Sequence, residues 1–172
     1  YRQERRGLTA QLPPKTHSFQ HWATELLSFR DAATAALPYW QDLPRAAALP
    51  VDQSQGNNTI AAAETVTVSL SSEWTQALLQ EVPSMQHVRI DEVLLTALMQ
   101  VLVDWTGERS QLLTLENYGR HADILGGKLN LSRTVGWFTC LHPVALRLVE
   151  GNLGEQLKSV KAQLRQVPHR GL

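Results

Sequence analysis

The chain has 172 residues; hydrophobic residues make up 43%, and sixteen basic residues balance sixteen acidic ones. That length fits one compact domain or a little more, and that apolar content can fill a core, which excludes a disordered chain. A net charge of zero excludes the electrostatic footprint of a nucleic-acid binder and argues against a polybasic membrane surface.

Cys140 is the only cysteine, so no internal disulfide can form and a reducing cytoplasm is the expected compartment. No apolar stretch reaches the length of a membrane span. Residues 2 to 6 are mostly charged and predict the end of a helix, with Gly7 as its stop. After Pro13-Pro14, Thr16 or Ser18 can cap a helix running to about residue 36. Phe19, Trp22, Leu26, Phe29 and Ala33 recur at three and four residues and so share one face. Pro38 is its expected end, with Tyr39-Trp40 as an aromatic plug. Residues 44 to 63 mix Pro, Gly and Asn with Ala, Gln and Ser, which predicts a linker or long loop.

Thr65 to Leu70 alternates strictly, with Val66, Val68 and Leu70 on one side, and predicts a half-buried strand. Ser71 or Ser72 can cap the next helix, with Glu73 near its positive end. Trp74, Leu78 and Val82 would form its inner face and Pro83 its stop. Residues 91 to 105 predict the most apolar helix. Its polar residues Glu92, Thr96, Gln100 and Asp104 fall every four residues, and one narrow solvent stripe implies that the remaining surface is buried. Gly107 is a fitting stop. Leu112 to Glu116 predicts a short strand, 119 to 132 a loop, and 134 to 148 one long strand or two, interrupted near Pro143. Leu153, Leu157, Val160, Leu164 and Val167 mark a closing amphipathic helix. The succession is mixed α/β, with helices against a sheet.

Several residues invite a chemical role, each beside a plainer one. His17 and His21 could share a metal-binding helix face, but the pattern supplies no further ligands, and no metal site is expected. Gly126-Gly127 lacks the phosphate-loop spacing and predicts a flexible connection. Cys140 lies in an apolar strand, where a thiol is usually inert. Arg133 at a strand mouth fits either an anion contact or a loop tie through a charge-assisted bond. Glu116, a carboxylate at a strand end, is either solvated or an acid/base, and the pattern leaves both open.

Four segments share a wider resemblance. Asp91-Glu92-Val93-Leu94-Leu95-Thr96-Ala97-Leu98 is similar to a D-x-L-L-x-A helix. Glu116-Asn117-Tyr118-Gly119-Arg120-His121 resembles an E-G-H-G-R-E segment. Arg133-Thr134-Val135-Gly136-Trp137-Phe138-Thr139 with Pro143 matches R-T-V-G-W-F-T-x-x-Y-P. Pro168-His169-Arg170-Gly171-Leu172 looks like the start of P-x-x-G-x-G-Y-G. In this order they resemble the C-terminal part of epimerization domains of nonribosomal peptide synthetases, within the condensation-domain superfamily. Asn117, Tyr118, His121 and His142 stand where that pattern has Gly, His, Glu and Tyr. Its H-H-x-x-x-D motif is absent here, and the chain is expected to be an excised fragment.

The resemblance implies a chloramphenicol-acetyltransferase-like lobe, a mixed sheet packed with helices, from a two-lobed condensation-type domain. Residues 1–50 would be the tail of the first lobe, 51–63 the linker and 64–172 most of the second. It further implies inversion of the α-carbon of an aminoacyl or peptidyl thioester carried on the phosphopantetheine arm of a peptidyl carrier protein. Glu116 would be one acid/base and a histidine of the missing lobe the other. Tyr118, Arg120 and Trp137 would contact substrate, and Arg133 and Gly136 would be structural. No bound cofactor is implied. A condensation activity, joining two carrier-bound substrates by an amide, or a noncatalytic carrier-docking role are the competing expectations.

Overall fold

In the computed structural model, every residue is described except 1, 2, 10, 46, 47, 58, 83, 85, 86 and 128. The first α-helix begins where the sequence supplies a cap. The Ser18 side chain accepts the His21 N–H and starts α1, Phe19–Ser28. The expected single helix to residue 36 is instead three: α1, α2 (Arg30–Ala35) and α3 (Leu37–Gln41). Pro38 does not end a helix. It lies in the first turn of α3, where its missing N–H costs nothing. Ser71 caps α4, Ser72–Gln76, through the Trp74 N–H, and a π turn at Ala77–Glu81 continues it. The expected stop at Pro83 lies outside the described residues.

The long helix α5, Ile90–Thr106, ends at Gly107, whose φ of 75° suits glycine at this position. The first half of its polar stripe is inverted relative to the sequence expectation, while Asp104 is exposed as expected. Glu92 and Thr96 are buried, while Leu94, Leu98, Val101 and Trp105 form an exposed apolar row. Both buried polar groups are satisfied locally: the Glu92 carboxylate accepts the Arg89 N–H at 2.8 Å, and the Thr96 hydroxyl donates to the Glu92 carbonyl at 2.8 Å. With those bonds made, the cost of burying them is largely removed.

Strands β1 (Ser110–Asn117) and β2 (Cys140–Arg147) pair antiparallel, with Leu115 opposite His142 and Glu116 opposite Leu141. The expected strand over 134 to 148 is thus confined to its second half. Thr65 to Leu70 forms no strand with any described segment, and Val66, Val68 and Leu70 are exposed. Alternation places Gln111, Leu113, Leu115, His142, Val144 and Leu146 on one face of the pair. The closing helix α6, Leu153–Gln166, and α5 cover that face. Met99, Leu102, Val144, Leu146, Val160 and Val167 make the main core, with Tyr39 and Trp40 of α3 against it. Pro143, opposite Thr114 in the middle of β2, is exposed. A proline is accommodated inside a ladder only where its nitrogen faces away from the partner strand.

A second core holds Trp22, Leu129, Leu131 and Phe138. Phe19, Trp22 and Phe138 meet with ring centroids 4.8 to 5.1 Å apart. Among the described residues no helix is long and apolar enough to cross a membrane.

Candidate active site at the end of the paired strands

Arg133, Thr134, Gly136 and Phe138 dock the segment around residues 13 to 22 onto the loop before β2. The Arg133 guanidinium donates to the Pro14 carbonyl, and the Thr134 hydroxyl donates to the His17 carbonyl at 2.5 Å. A Cβ on Gly136 would come within 2.4 Å of the Phe19 ring, so the close approach requires glycine there. Val135 and Trp137 lie between these anchors and project to solvent, Trp137 with 80% of its surface exposed.

The Glu116–His121 segment divides by role. The Arg120 guanidinium donates to the carbonyls of Leu131 and Thr134 at 2.7 and 2.8 Å and stacks 3.9 Å from the centre of the Phe138 ring. It closes the 121–134 loop and does not border the cavity described next; neither does Trp137. Arg120 also lies over the Tyr118 ring, 5.3 Å from its centre, and Trp137 faces solvent.

Glu116 and Tyr118 do border a cavity of about 660 Å³ at the end of the strand pair. Its walls come from the start of α5, the end of β1, the last turns of α6 and the turn Pro168–Gly171. Glu116 is exposed and projects from the open face of the sheet, beside Leu141. His142 lies on the opposite, helix-covered face, 8% exposed, and also borders the cavity. Asp91, Glu92 and Glu116 share its lining with Arg89, Lys161, Arg165 and Arg170, so the surface is of mixed charge.

Two histidines that the sequence singled out only by their unusual positions become prominent here. His142 packs against Gly171 and Trp40, and its Nδ1 is buried without a hydrogen-bond partner among the described residues. His121 Nδ1 lies 3.4 Å from the Arg170 guanidinium, which can only donate, so Nδ1 is the acceptor. Burial lowers the pKa of both rings. Arg170 lowers that of His121 further while Asp123 opposes it, and His121 lowers that of His142. Because the folded values lie below the ordinary 6.5, the unfolded chain takes up these protons first as pH falls. The stabilisation is present above about pH 6.5 and is lost as pH falls towards the folded values. A complete domain containing this chain should therefore unfold at lower temperature at about pH 5.5 than at about pH 7.5, and His121→Gln with His142→Phe should flatten that dependence. An undiminished slope in the double variant would assign it to other groups.

The remaining candidates take plainer places. His17 and His21 stack at 5.2 Å, and His17 Nδ1 accepts the Asn130 N–H. Gly126 and Gly127 are turn residues at φ 82° and 69°. The Cys140 thiol, pushed up in pKa mainly by burial, donates to Asn117 Oδ1 at 2.8 Å. Among the described residues no group of three or more His, Cys, Asp or Glu could hold a metal ion.

Comparison with known proteins gives this geometry a family. The condensation-domain family model matches residues 1–172. A linear gramicidin synthase of Brevibacillus parabrevis is 42% identical over 176 residues, which covers 100% of this chain and 3% of that protein. The crystal structure of the epimerization domain from the third module of tyrocidine synthetase B superposes with a TM-score of 0.84 at 31% identity, over 99% of this chain and 39% of that one. The first condensation domain of the calcium-dependent antibiotic synthetase shares the fold, with a TM-score of 0.63 at 16% identity over 95% of this chain and 36% of that one. The mixed helix-and-sheet architecture is therefore that of a chloramphenicol-acetyltransferase-like lobe, spanning well under half of the solved domains, and the chain belongs to the condensation-domain family.

Proposed function

We propose that this chain is part of an epimerization domain that inverts the α-carbon of an aminoacyl or peptidyl thioester held on a carrier protein's phosphopantetheine arm. Residues 1–50 belong to the end of one lobe, 51–63 link, and 64–172 form most of the next. The thioester acidifies the α-proton. Inversion then needs one group to remove a proton from one face and another to deliver a proton to the opposite face. Glu116 is the group this chain supplies, and its position at the cavity rim, open to a substrate arm, is the observation that carries the reading. The likeness to an epimerization domain, at 31% identity against 16% for a condensation domain, supports inversion over amide formation.

Amide formation remains the second reading, because the matching family is described by condensation. A complete domain containing this chain, incubated with an aminoacyl-loaded carrier and then with a second loaded carrier, separates the two. Both enantiomers are expected on the carrier, read after chemical hydrolysis of the thioester. A new amide with retained chirality would establish condensation instead, and carrier binding with neither product would establish a docking role.

A further inference from the structure

The residue next to Glu116 is held more firmly than the end of a strand requires. Asn117 Nδ2 donates to the Arg170 carbonyl at 2.6 Å. Its Oδ1 accepts the Gly119 N–H at 2.8 Å and the Cys140 thiol at 2.8 Å. One side chain thus holds the backbone that follows it at Gly119 and ties the end of β1 to Cys140 of β2 and to the turn Pro168–Gly171. That turn is itself an unusual anchor. His169 and Arg170 both adopt left-handed backbone, at φ 50° and 54°, which residues with a Cβ disfavour. It is restrained from several directions. Arg170 pairs with Asp123 at 2.8 Å, His169 packs edge-on against Phe29, and Gly171 is pressed so closely on His142 that a Cβ would lie 2.1 Å from the imidazole.

The geometry points to Asn117 as a positioning residue for Glu116, with the Pro168–Gly171 turn as its anchor and Cys140 as its second tether. The assignment rests on the epimerization reading, in which Glu116 exchanges the α-proton. A carboxylate at an exposed strand end otherwise samples many positions, and small misplacement of a reacting group is costly in rate. By bonding the Gly119 peptide, Cys140 and the turn, Asn117 limits the movement of the strand end that carries Glu116.

The test uses a complete domain containing this chain and a carrier loaded with either enantiomer in D₂O. Asn117→Ala should lower the turnover of α-deuterium exchange roughly 10- to 100-fold, leaving the KM for loaded carrier essentially unchanged, while the loss of its hydrogen bonds lowers the thermal midpoint without unfolding the domain at the assay temperature. Cys140→Ala, a milder change, should lower turnover less. In the Asn117→Ala background it should add no further loss, because the two share one hydrogen bond. Unchanged turnover in both single variants, a loss carried by KM, or multiplicative losses in the double variant would each overturn the positioning role. A wild-type domain without any exchange would remove the epimerization reading itself. Exchange in the wild type that the variants leave intact would remove only the present inference.

Discussion

Glu116→Gln in a complete domain should reduce epimerization by about 10²–10⁴-fold, the range typical of a general acid or base. The amide fills the same space but neither takes nor delivers the proton efficiently. Glu116 is exposed at the cavity rim, so folding and carrier binding should survive the exchange of carboxylate for amide. Glu116 lies on the open sheet face rather than among the helices, and in the proposed two-base inversion it would serve one face of the α-carbon. The substitution should therefore depress α-deuterium exchange more from one enantiomer than from the other. Equal, undiminished exchange from both would reduce Glu116 to a surface charge.

The largest structural effect is expected at Gly119. Its φ is +67°, and a Cβ would lie 1.6 Å from the Phe138 carbonyl oxygen and 2.6 Å from the carbonyl carbon. Backbone cannot swing aside as a side chain can, and Phe138 is locked between Trp22 and the Arg120 guanidinium. Gly119→Ala should cost roughly 3 kcal/mol or more, joining a strained left-handed conformation to a backbone clash. Gly127→Ala is the control: its φ is +69° but nothing lies within 4 Å of its Cβ position. It should cost only the conformational penalty, about 1–2 kcal/mol. Denaturant midpoints of the two variants in the complete domain provide the comparison, and similar losses would show that the Phe138 contact is relaxed at little cost.

The closing helix was legible because its apolar residues make a regular stripe, of which Leu157 and Val160 are buried while Leu153 at its start is exposed. The long helix was legible as an element but not in its orientation. A four-residue polar repeat marks a face; it does not say whether that face meets water. Glu92 and Thr96 go inside because each finds a backbone partner within four residues, a detail that a hydrophobicity pattern does not carry. Thr65 to Leu70 has the alternation of a strand, yet pairing is a tertiary property, and no described segment pairs with it. At the site, the acidic position was visible in Glu116 and the clustering was not. Asn117, His121 and His142 stood out singly as departures from a resembling pattern. Folding brings all three onto one turn, through the Arg170 carbonyl, the Arg170 guanidinium and Gly171.

Pro143 gives the strand pair a direction of growth. Its nitrogen interrupts the outer margin of β2 with a missing donor, while the outer margin of β1 contains no proline from Ser110 to Asn117. A strand arriving from elsewhere in a longer chain, or from another copy, finds a complete hydrogen-bonding template only alongside β1. Extension on that side would put Glu116 on an interior strand, flanked by neighbours on either hand, and turn a residue at the margin of a hairpin into one at the middle of a wider sheet.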